Sequence, residues 1–487
     1  VLLFNPVNLF QDNTTLIIMK NDNDNRKDLS YELETINDWE NPTSKSVSIF
    51  EGDKFLSKGF LLKETNKLSL RLPVRIGKDS IEDIIIETEA GQRIFTTLYV
   101  NERSTKAEKD GVFSNTLCLI QDLRKGQFLP GKISRFRCFI PTSPSMLNTY
   151  RFQLETIRYS DPEHTYNHQC VRINIEDLQF DVLQIKHKNE GYYVIDAFQD
   201  MSFDDFCNYC YAIQQALGFV MGYMPDGEIF YFSSDKEYYY TNHVRPAMKS
   251  YYCPINTNPY SFITSAKNYS GKLNVMPAKC FSNLVSLIYS NERFSSAITM
   301  MLESENARSL LLTPSIYAVV LEALSKIVCA PIAEGKKPVN NKELFKKILK
   351  ELEGIIDSHS AEFESDDDIL KLRRRLSELN KPIRQLTNIE KLILPFEQSG
   401  IGLTPQDIAI IEHRNDLLHG NTHLADSSRT GTCDINNYMM YASGKLYTLI
   451  SSLILKHVGY SGYIINHAKV CEKYCNINTE EDYYKYI

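Results

Sequence analysis

The amino-acid sequence predicts an α+β multidomain protein, in which a β-rich N-terminal half precedes an all-α helical bundle. Residues 67–76 (KLSLRLPVRI) alternate apolar and polar side chains, which is typical of a half-buried strand. Residues 316–328 (IYAVVLEALSKIV) are apolar on nearly every face, which indicates a helix at the centre of a bundle. Between these patterns, residues 241–277 are rich in Asn, Pro, Tyr and Ser with little periodicity, so we expect the two halves to be connected there.

The β signal extends from about residue 46 to residue 140, and its apolar runs at 84–86 and 94–100 predict a β-hairpin. Arg135 and Arg137 alternate with apolar residues near the end of this region. We therefore expect both arginines to face solvent on an antiparallel sheet. Further strands are predicted at 150–158, 171–175, 180–185, 192–195 and 229–232.

One helix is predicted inside the β-rich half. Ser202 and Asp205 have the spacing of an N-terminal capping box. Apolar residues then recur at helical spacing as far as Val220, and the turn sequence at 225–227 (PDG) follows the helix.

Two further patterns in this half have both a functional and a structural interpretation. Cys207 and Cys210 could form half of a zinc site, with His164 and His168 as the other half. Both cysteines lie on the apolar stripe of the predicted helix, where a free cysteine packs as a small hydrophobe. The tyrosines at 238–240 could stack on nucleobases, but tyrosines are also common in loops. We favour the structural interpretation of both patterns, and we expect no metal and no other cofactor.

The second half of the chain has helical periodicity. Helices are predicted at 281–289, 295–302, 316–328, 342–356, 368–379, 383–396, 405–419 and 435–458. Pro405 directly after Thr404 is a start signal for the helix at 405–419. The expected organisation is a β-rich region at 1–255 (two subdomains, about 1–145 and 146–255), a connection at 256–280, a helical domain at 281–470 and a C-terminal tail at 471–487.

The composition is that of an ordinary globular protein with a slight acidic excess. The formal net charge of the 487 residues is -7, so any contact with nucleic acid must use a local basic patch. Eleven cysteines, most of them isolated in the sequence, fit reduced thiols better than a disulfide framework. We find no secretory signal, and the apolar run at 446–455 is too short to span a bilayer. We therefore expect a cytoplasmic protein that does not contact membranes.

Three candidate catalytic residues lie in the segment 412–420 (EHRNDLLHG). Arg414 has apolar residues three and four positions away on both sides, so its guanidinium falls on the helix face that should pack. A guanidinium in that position needs a carboxylate or a bound anion as its partner. Asn415 lies four residues before His419 and hence on the same side of the helix. An arginine, an amide and an imidazole thus converge, which suits the handling of a phosphodiester.

Glu322 is the fourth candidate residue and the expected partner of Arg414. Each of the two is a charged residue on an otherwise apolar part of its own helix. The alternative is that Glu322 points to solvent or pairs with Lys326, one turn later on the same helix. The sequence leaves these two arrangements open.

The pattern R-N-x-x-x-H-G, from Arg414 to Gly420, resembles the signature of the HEPN superfamily. In that superfamily an R-x(4–6)-H motif marks metal-independent ribonucleases of toxin, anti-phage and RNA-processing systems. A β-rich half joined to a C-terminal HEPN domain is also similar to the ApeA-type abortive-infection proteins. The resemblance implies a HEPN-like bundle, an RNA substrate such as tRNA, and a homodimer or higher homo-oligomer that forms a composite site through the helical domain. It further implies a β-rich half that acts as a sensor or inhibitor domain and binds a phage-derived trigger.

Metal-independent cleavage of RNA requires a base for the 2′-hydroxyl proton, an acid for the leaving 5′-oxygen, and positive charge beside the phosphorane. His419 can transfer a proton at neutral pH, and Arg414 can hold the phosphate. Asn415 can orient the phosphate or His419. One histidine cannot easily serve as both base and acid in one step, so two facing motif helices from two chains would complete the site. The expected products carry a 2′,3′-cyclic phosphate and a 5′-hydroxyl.

The strongest basic bias lies between residues 371 and 391, where seven Lys and Arg stand against two Glu. The expected RNA-binding residues are Arg373, Arg374, Arg375, Lys381 and Arg384. The alternative for these residues is a solvated helix face. A further alternative concerns the whole helical domain, which could be a catalytically inactive dimerisation or binding module with a structural ion pair at Arg414.

Overall fold

The computed structural model describes most of the chain after residue 25. The described residues are 26–40, 45–64, 67–89, 91, 93–108, 111–120, 122–125, 133–142, 152–160, 165–187, 189–222, 224–225, 228–234, 247–251, 275–306, 309–329, 337–380, 387–418, 432–475 and 477–487.

The fold is α+β, with a β-rich first half and a helical second half, as the sequence predicts. The strands of the first half are β1 (Arg26–Asp28), β2 (Lys45–Glu51), β3 (Lys54–Glu64), β4 (Lys67–Leu72), β5 (Ser80–Thr88), β6 (Arg93–Glu108), β7 (Gly111–Ile120), β8 (Asp122–Lys125), β9 (Arg135–Thr142), β10 (Glu155–Ser160), β11 (Thr165–Ile175), β12 (Leu178–His187), β13 (Glu190–Ala197), β14 (Glu228–Ser234) and β15 (Ala247–Tyr251). Its helices are α1 (Ser30–Glu40) and α2 (Phe203–Met221).

Six of these strands close on themselves in the order β6-β5-β2-β3-β4-β7, because β6 pairs with both β5 and β7. The antiparallel pairing of β5 with β6 confirms the predicted hairpin. Strand β8 pairs with β6 on one side and with β15 on the other, and so joins the closed sheet to an open one. The open sheet runs in the order β1-β10-β11-β12-β13-β9-β14-β15-β8. Strand β15 lies within residues 241–277, whose composition suggested the connection, and before the expected connection at 256–280. Regular structure therefore continues further than the composition indicates.

The prediction that Arg137 faces solvent is wrong. Arg137 lies on the central strand β9, and its side chain has an exposed fraction of 0%. Its Nη1 donates to Glu32 on α1 at 2.7 Å, and its Nε donates to Asp196 on β13. The alternation of apolar and polar residues along β9 suggested that one face of the sheet is exposed to solvent. In the structure both faces are covered, one by α2 and the other by α1, a helix that was not predicted. Arg135 is partly exposed and lies beside Asp200.

The predicted helix after residue 202 is confirmed. The Ser202 hydroxyl accepts a hydrogen bond from the backbone N–H of Asp205 at 3.1 Å and donates to the Asp205 carboxylate at 2.6 Å, so Ser202 caps the helix. Gly222 ends α2 with φ of +69°, a left-handed conformation that glycine adopts without strain. Between these two ends, α2 presents a long buried face to the open sheet.

The cysteines of α2 pack in this core. Cys210 is buried with its Sγ 3.5 Å from the Sγ of Cys138, and burial raises the pKa of Cys207 to about 12. No group of three or more His, Cys, Asp or Glu among the described residues is arranged to hold a metal ion. His164 and the tyrosines at 238–240 lie outside the described residues.

The second half is built from helices, and all of them except α6 and α7 contribute residues to the same hydrophobic core. They are α3 (Ala278–Ser290), α4 (Glu292–Asn306), α5 (Leu312–Val328), α6 (Lys342–Ser358), α7 (Asp366–Ser377), α8 (Asn388–Gln398), α9 (Pro405–Glu412), α10 (Arg414–Leu418), α11 (Thr432–His457) and α12 (His467–Cys475). Strands β16 (Tyr463–Ile465) and β17 (Tyr484–Tyr486) pair near the C-terminus. Helices α3, α4 and α5 share one core with α2 and with one face of the open sheet, and α11 passes through the same core. Within the described ranges, none of the helices combines the length and apolar character that crossing a bilayer requires.

Candidate active site around Arg414

The motif segment forms two short helices. Helix α9 begins after Thr404, as predicted, with Pro405 in its first turn. Thr404 and Asp407 form a complete capping box, because the threonine hydroxyl accepts from the Asp407 N–H at 3.1 Å and the carboxylate accepts from the Thr404 N–H at 3.0 Å. The predicted single helix is interrupted at His413, after which α10 starts with Arg414. The interruption places Arg414 in the first turn of its own short helix.

A buried charge cluster fixes the start of α9. The carboxylate of Asp407 accepts hydrogen bonds from Lys445 of α11 at 2.7 Å and from Lys485 of β17 at 3.1 Å. Lys445 also contacts Glu481, which accepts from the Thr404 hydroxyl at 3.3 Å. Burial raises the pKa of Asp407, but the charges of the two lysines outweigh it and hold the pKa below its ordinary value. The sequence indicates the start of α9 through Thr404 and Pro405, whereas the partners of Asp407 are distant in sequence and carry no signal.

Arg414 is buried and pairs with Glu322. Its Nη1 donates to Glu322 Oε2 on α5 at 3.0 Å. The other carboxylate oxygen, Oε1, accepts from Lys326 at 3.0 Å, so the two arrangements that the sequence left open occur together. The exposed fraction is 8% for the Arg414 side chain and 39% for that of Glu322. The hydrogen bond from Lys326, assisted by the charge of Arg414, lowers the pKa of Glu322 below its ordinary value.

The guanidinium of Arg414 has a second hydrogen-bonding edge, formed by Nε and Nη2. No residue in the described ranges accepts a hydrogen bond from Nε or Nη2 of Arg414, the two parallel donors that bind phosphate or carboxylate in a bidentate manner. The helix behind it is held in place, because Ser315 of α5 donates to the Leu417 carbonyl at 2.7 Å. Helix α5 therefore positions both ends of α10.

The other candidate catalytic residues are only partly described. Asn415 is exposed, on a different side of α10 from the buried Arg414. His419 lies outside the described residues. A different histidine, His413, is half-buried with its Nδ1 3.2 Å from the Tyr438 hydroxyl of α11. The sequence analysis did not consider His413, although it stands next to Arg414.

The predicted RNA-binding residues fall into three groups. Arg373 is engaged within the protein, because it forms an ion pair with Asp357 of α6. Arg374 and Arg375 are exposed near the end of α7. Lys381 and Arg384 lie outside the described residues.

The chain matches no protein-family model and no curated protein. A crystal structure of K. pneumonia MrkH is similar over 36% of this chain and 84% of that chain, with 10% sequence identity and a TM-score of 0.13. A TM-score this low supports no conclusion about fold or function.

Proposed function

We propose that the helical half is a HEPN-type endoribonuclease module of an anti-phage, abortive-infection or toxin system, which cleaves RNA by 2′-hydroxyl attack without a metal ion. One observation carries the proposal. The guanidinium of Arg414 is fixed by Glu322 through Nη1, while Nε and Nη2 have no acceptor among the described residues. A fixed guanidinium whose two parallel donors have no acceptor among the described residues is suited to a phosphodiester.

Each motif residue has a distinct role in this proposal. Arg414 binds the scissile phosphate and stabilises the charge of the phosphorane. His419 transfers the proton, and Asn415 orients the phosphate or the imidazole. Glu322 is a positioning residue, because it holds the guanidinium in one orientation from α5. Two chains with facing motif segments would supply the second proton-transfer group.

Cleavage by the purified full chain tests the proposal. We expect cleavage of total tRNA or mRNA in the presence of EDTA, with 2′,3′-cyclic phosphate and 5′-hydroxyl ends. The substitutions Arg414→Ala and His419→Ala should each abolish it. The matched control is His413→Gln, which removes a neighbouring imidazole that contacts Tyr438 and should leave most activity. Cleavage that stops on addition of EDTA, or that persists in His419→Ala, would contradict the proposal.

A second candidate function rests on the burial of Arg414. An arginine whose side chain is 8% exposed and ion-paired can be purely structural, so the domain could be an inactive binding or dimerisation module. Thermal unfolding separates the two candidates. If both Arg414→Ala and His419→Ala unfold the protein, the structural role explains these residues; folded variants that lose cleavage support the enzyme.

The β-rich half is proposed as the sensor for a phage-derived trigger in the cytoplasm. A packed route from the open sheet to the candidate site supports this assignment. Gln215 of α2 is fully buried, and its side-chain amide contacts Ser295 and Thr299 of α4, each at 2.9 Å. Helix α4 packs on α5, which carries Glu322. A change in the sheet therefore has a rigid path to the partner of Arg414.

A further inference from the structure

Helices α6 and α7 form an antiparallel hairpin. At its base, the Asn380 side chain bonds to the backbone of Val339 twice, donating to the carbonyl at 2.9 Å and accepting from the N–H at 2.8 Å. Nearer its tip, Arg373 of α7 pairs with Asp357 of α6. The two helices are thus tied together at both ends.

The described residues cover the apolar side of this hairpin only in part: Leu344 and Ile355 are 49% and 57% exposed, and the four residues Phe345, Ile348, Leu349 and Leu352 are half-buried. Helix α6 carries an apolar stripe made of Leu344, Phe345, Ile348, Leu349, Leu352, Ile355 and Ile356, of which Ile356 alone is buried. No residue of α7 is buried, and Leu370 is 60% exposed. Neither hydrophobic core of the described chain includes a residue of either helix. A long amphipathic stripe of this kind normally packs against another element.

The charges of the hairpin are separated from end to end. The first half of α6 (342–350) carries four lysines and one glutamate, whereas its second half (351–358) carries three acids and no base. Helix α7 begins with three aspartates at the tip and carries its arginines toward the base. The base is therefore basic and the tip is acidic.

Local helix electrostatics do not account for this separation in α6. The helix dipole favours acids near the N-terminus and bases near the C-terminus, and α6 has the reverse order. Folding into a hairpin then brings like charges side by side at each end. The hairpin charges with no ion pair among the described residues are Lys342, Lys347, Lys350, Glu351, Glu353, Glu364, Asp366, Arg374 and Arg375.

We propose that the hairpin is a self-association surface that binds the same hairpin of a second copy of this chain. In a two-fold antiparallel arrangement, the basic base of one copy meets the acidic tip of the other. The exposed Leu344 of one α6 then lies close to Ile355 of the other, because the middle residue of α6 is Lys350, with Leu344 six residues before it (350 − 344) and Ile355 five residues after it (355 − 350). Charge and apolar pattern both become complementary in this one arrangement.

The proposal does not depend on the ribonuclease assignment, because its readout is oligomeric state rather than RNA cleavage. It also changes the expectation for Arg374 and Arg375. They belong to the interface between copies and not to an RNA-binding patch.

Charge reversal in the full chain tests the proposal by sedimentation velocity. We expect wild-type protein to dimerise, and Lys347→Glu/Lys350→Glu and Glu351→Lys/Glu353→Lys each to weaken the dimer by at least about tenfold. Both reversals bring the charge order closer to the one the helix dipole favours, so loss of the helix does not explain a monomer; circular dichroism checks this. An equimolar mixture of the two variants should restore the dimer.

Apolar substitutions provide a second measurement. Leu344→Ser/Ile355→Ser should also give monomers, whereas Phe55→Ser, at a 51% exposed position on β3, should not change the dimer. A monomeric wild type, dimers in both charge variants, or a mixture that stays monomeric overturns the proposal. RNA binding that is lost in Lys347→Glu/Lys350→Glu without any change in mass would assign the surface to nucleic acid and overturn it as well.

Discussion

Two arginines, one in each half, are withdrawn from solvent in different ways. Arg137 lies in the open sheet with both of its carboxylate partners, Glu32 and Asp196, and all three side chains have an exposed fraction of 0%. Arg414 is 8% exposed, but its partner Glu322 is 39% exposed and also pairs with Lys326. The first arginine is sealed among its partners, whereas the second is at the edge of the solvent.

The difference separates a sealed ion cluster from a site that can bind a further anion. Removing one member of a sealed cluster leaves the others charged in a medium that solvates them poorly. Around Arg414, water can reach the partner carboxylate, so a polar group can approach the pair from solvent. An arginine that keeps Glu322 on Nη1 needs this access if it is also to bind a substrate phosphate through Nε and Nη2.

Substitution of Arg137 should have the largest effect. In Arg137→Ala the buried carboxylates of Glu32 and Asp196 lose the charge of Arg137, which should lower the free energy of unfolding by about 3–5 kcal/mol. Chemical denaturation measures the change. The matched control is Arg135→Ala on the same strand, where the pair with Asp200 is partly exposed and should be worth less than about 1 kcal/mol. Equal losses of unfolding free energy in the two variants would show that the buried cluster and the partly exposed pair contribute equally to stability.

Asp407 is an intermediate case. Asp407→Asn keeps the cap of α9 but leaves Lys445 with Glu481 alone and removes the carboxylate charge that Lys485 contacts, and should cost about 2 kcal/mol. Because the lysines lower its pKa in the folded state, Asp407 contributes stability above the ordinary aspartate pKa and loses it as the pH falls through the lower folded value. The difference in unfolding free energy between wild type and variant should therefore be constant at neutral pH and shrink in acid. A difference that grows in acid would contradict this assignment.

Arg414→Ala should cost less stability than either change, about 1 kcal/mol, because Glu322 can be solvated by water. On the proposed function, the same variant loses RNA cleavage completely. Thermal unfolding and RNA cleavage, measured on one preparation of the variant, show whether cleavage is lost while the fold is kept. A loss of stability as large as that of Arg137→Ala would favour the purely structural role.

The sequence predicted local features of the fold better than long-range ones. The start of α2 after Ser202, the start of α9 at Thr404 and the strand that begins at Lys67 all depend on neighbouring residues, and the structure confirms them. The burial of Arg137 was missed because it depends on α1, more than one hundred residues earlier in the chain.

The same limit applies at the candidate site. The pairing of Glu322 with Arg414 could be anticipated, because each was a charged residue on a packing face. The contacts of Asp407 with Lys445 and Lys485 bring together three elements and had no counterpart in the sequence pattern.

The smallest change in stability should come from Glu322→Gln, and it gives the sharpest test of phosphate binding beside Glu322. The amide can still accept from Arg414, so the free energy of unfolding should change by less than about 0.5 kcal/mol. Removing the carboxylate charge leaves the positive charge of Arg414 less neutralised, so RNA should bind more tightly by up to about fivefold, the equivalent of one exposed ion pair.

Fluorescence anisotropy with labelled RNA measures this effect, with His419→Ala as the background so that the RNA stays intact. The matched control is Lys326→Gln, which leaves Glu322 to Arg414 alone and should not strengthen binding. If Glu322→Gln binds RNA no better than Lys326→Gln does, RNA phosphate does not bind beside the Glu322 carboxylate at Arg414. Arg414 and Arg137 would then differ in solvent exposure but not in the ability to bind phosphate.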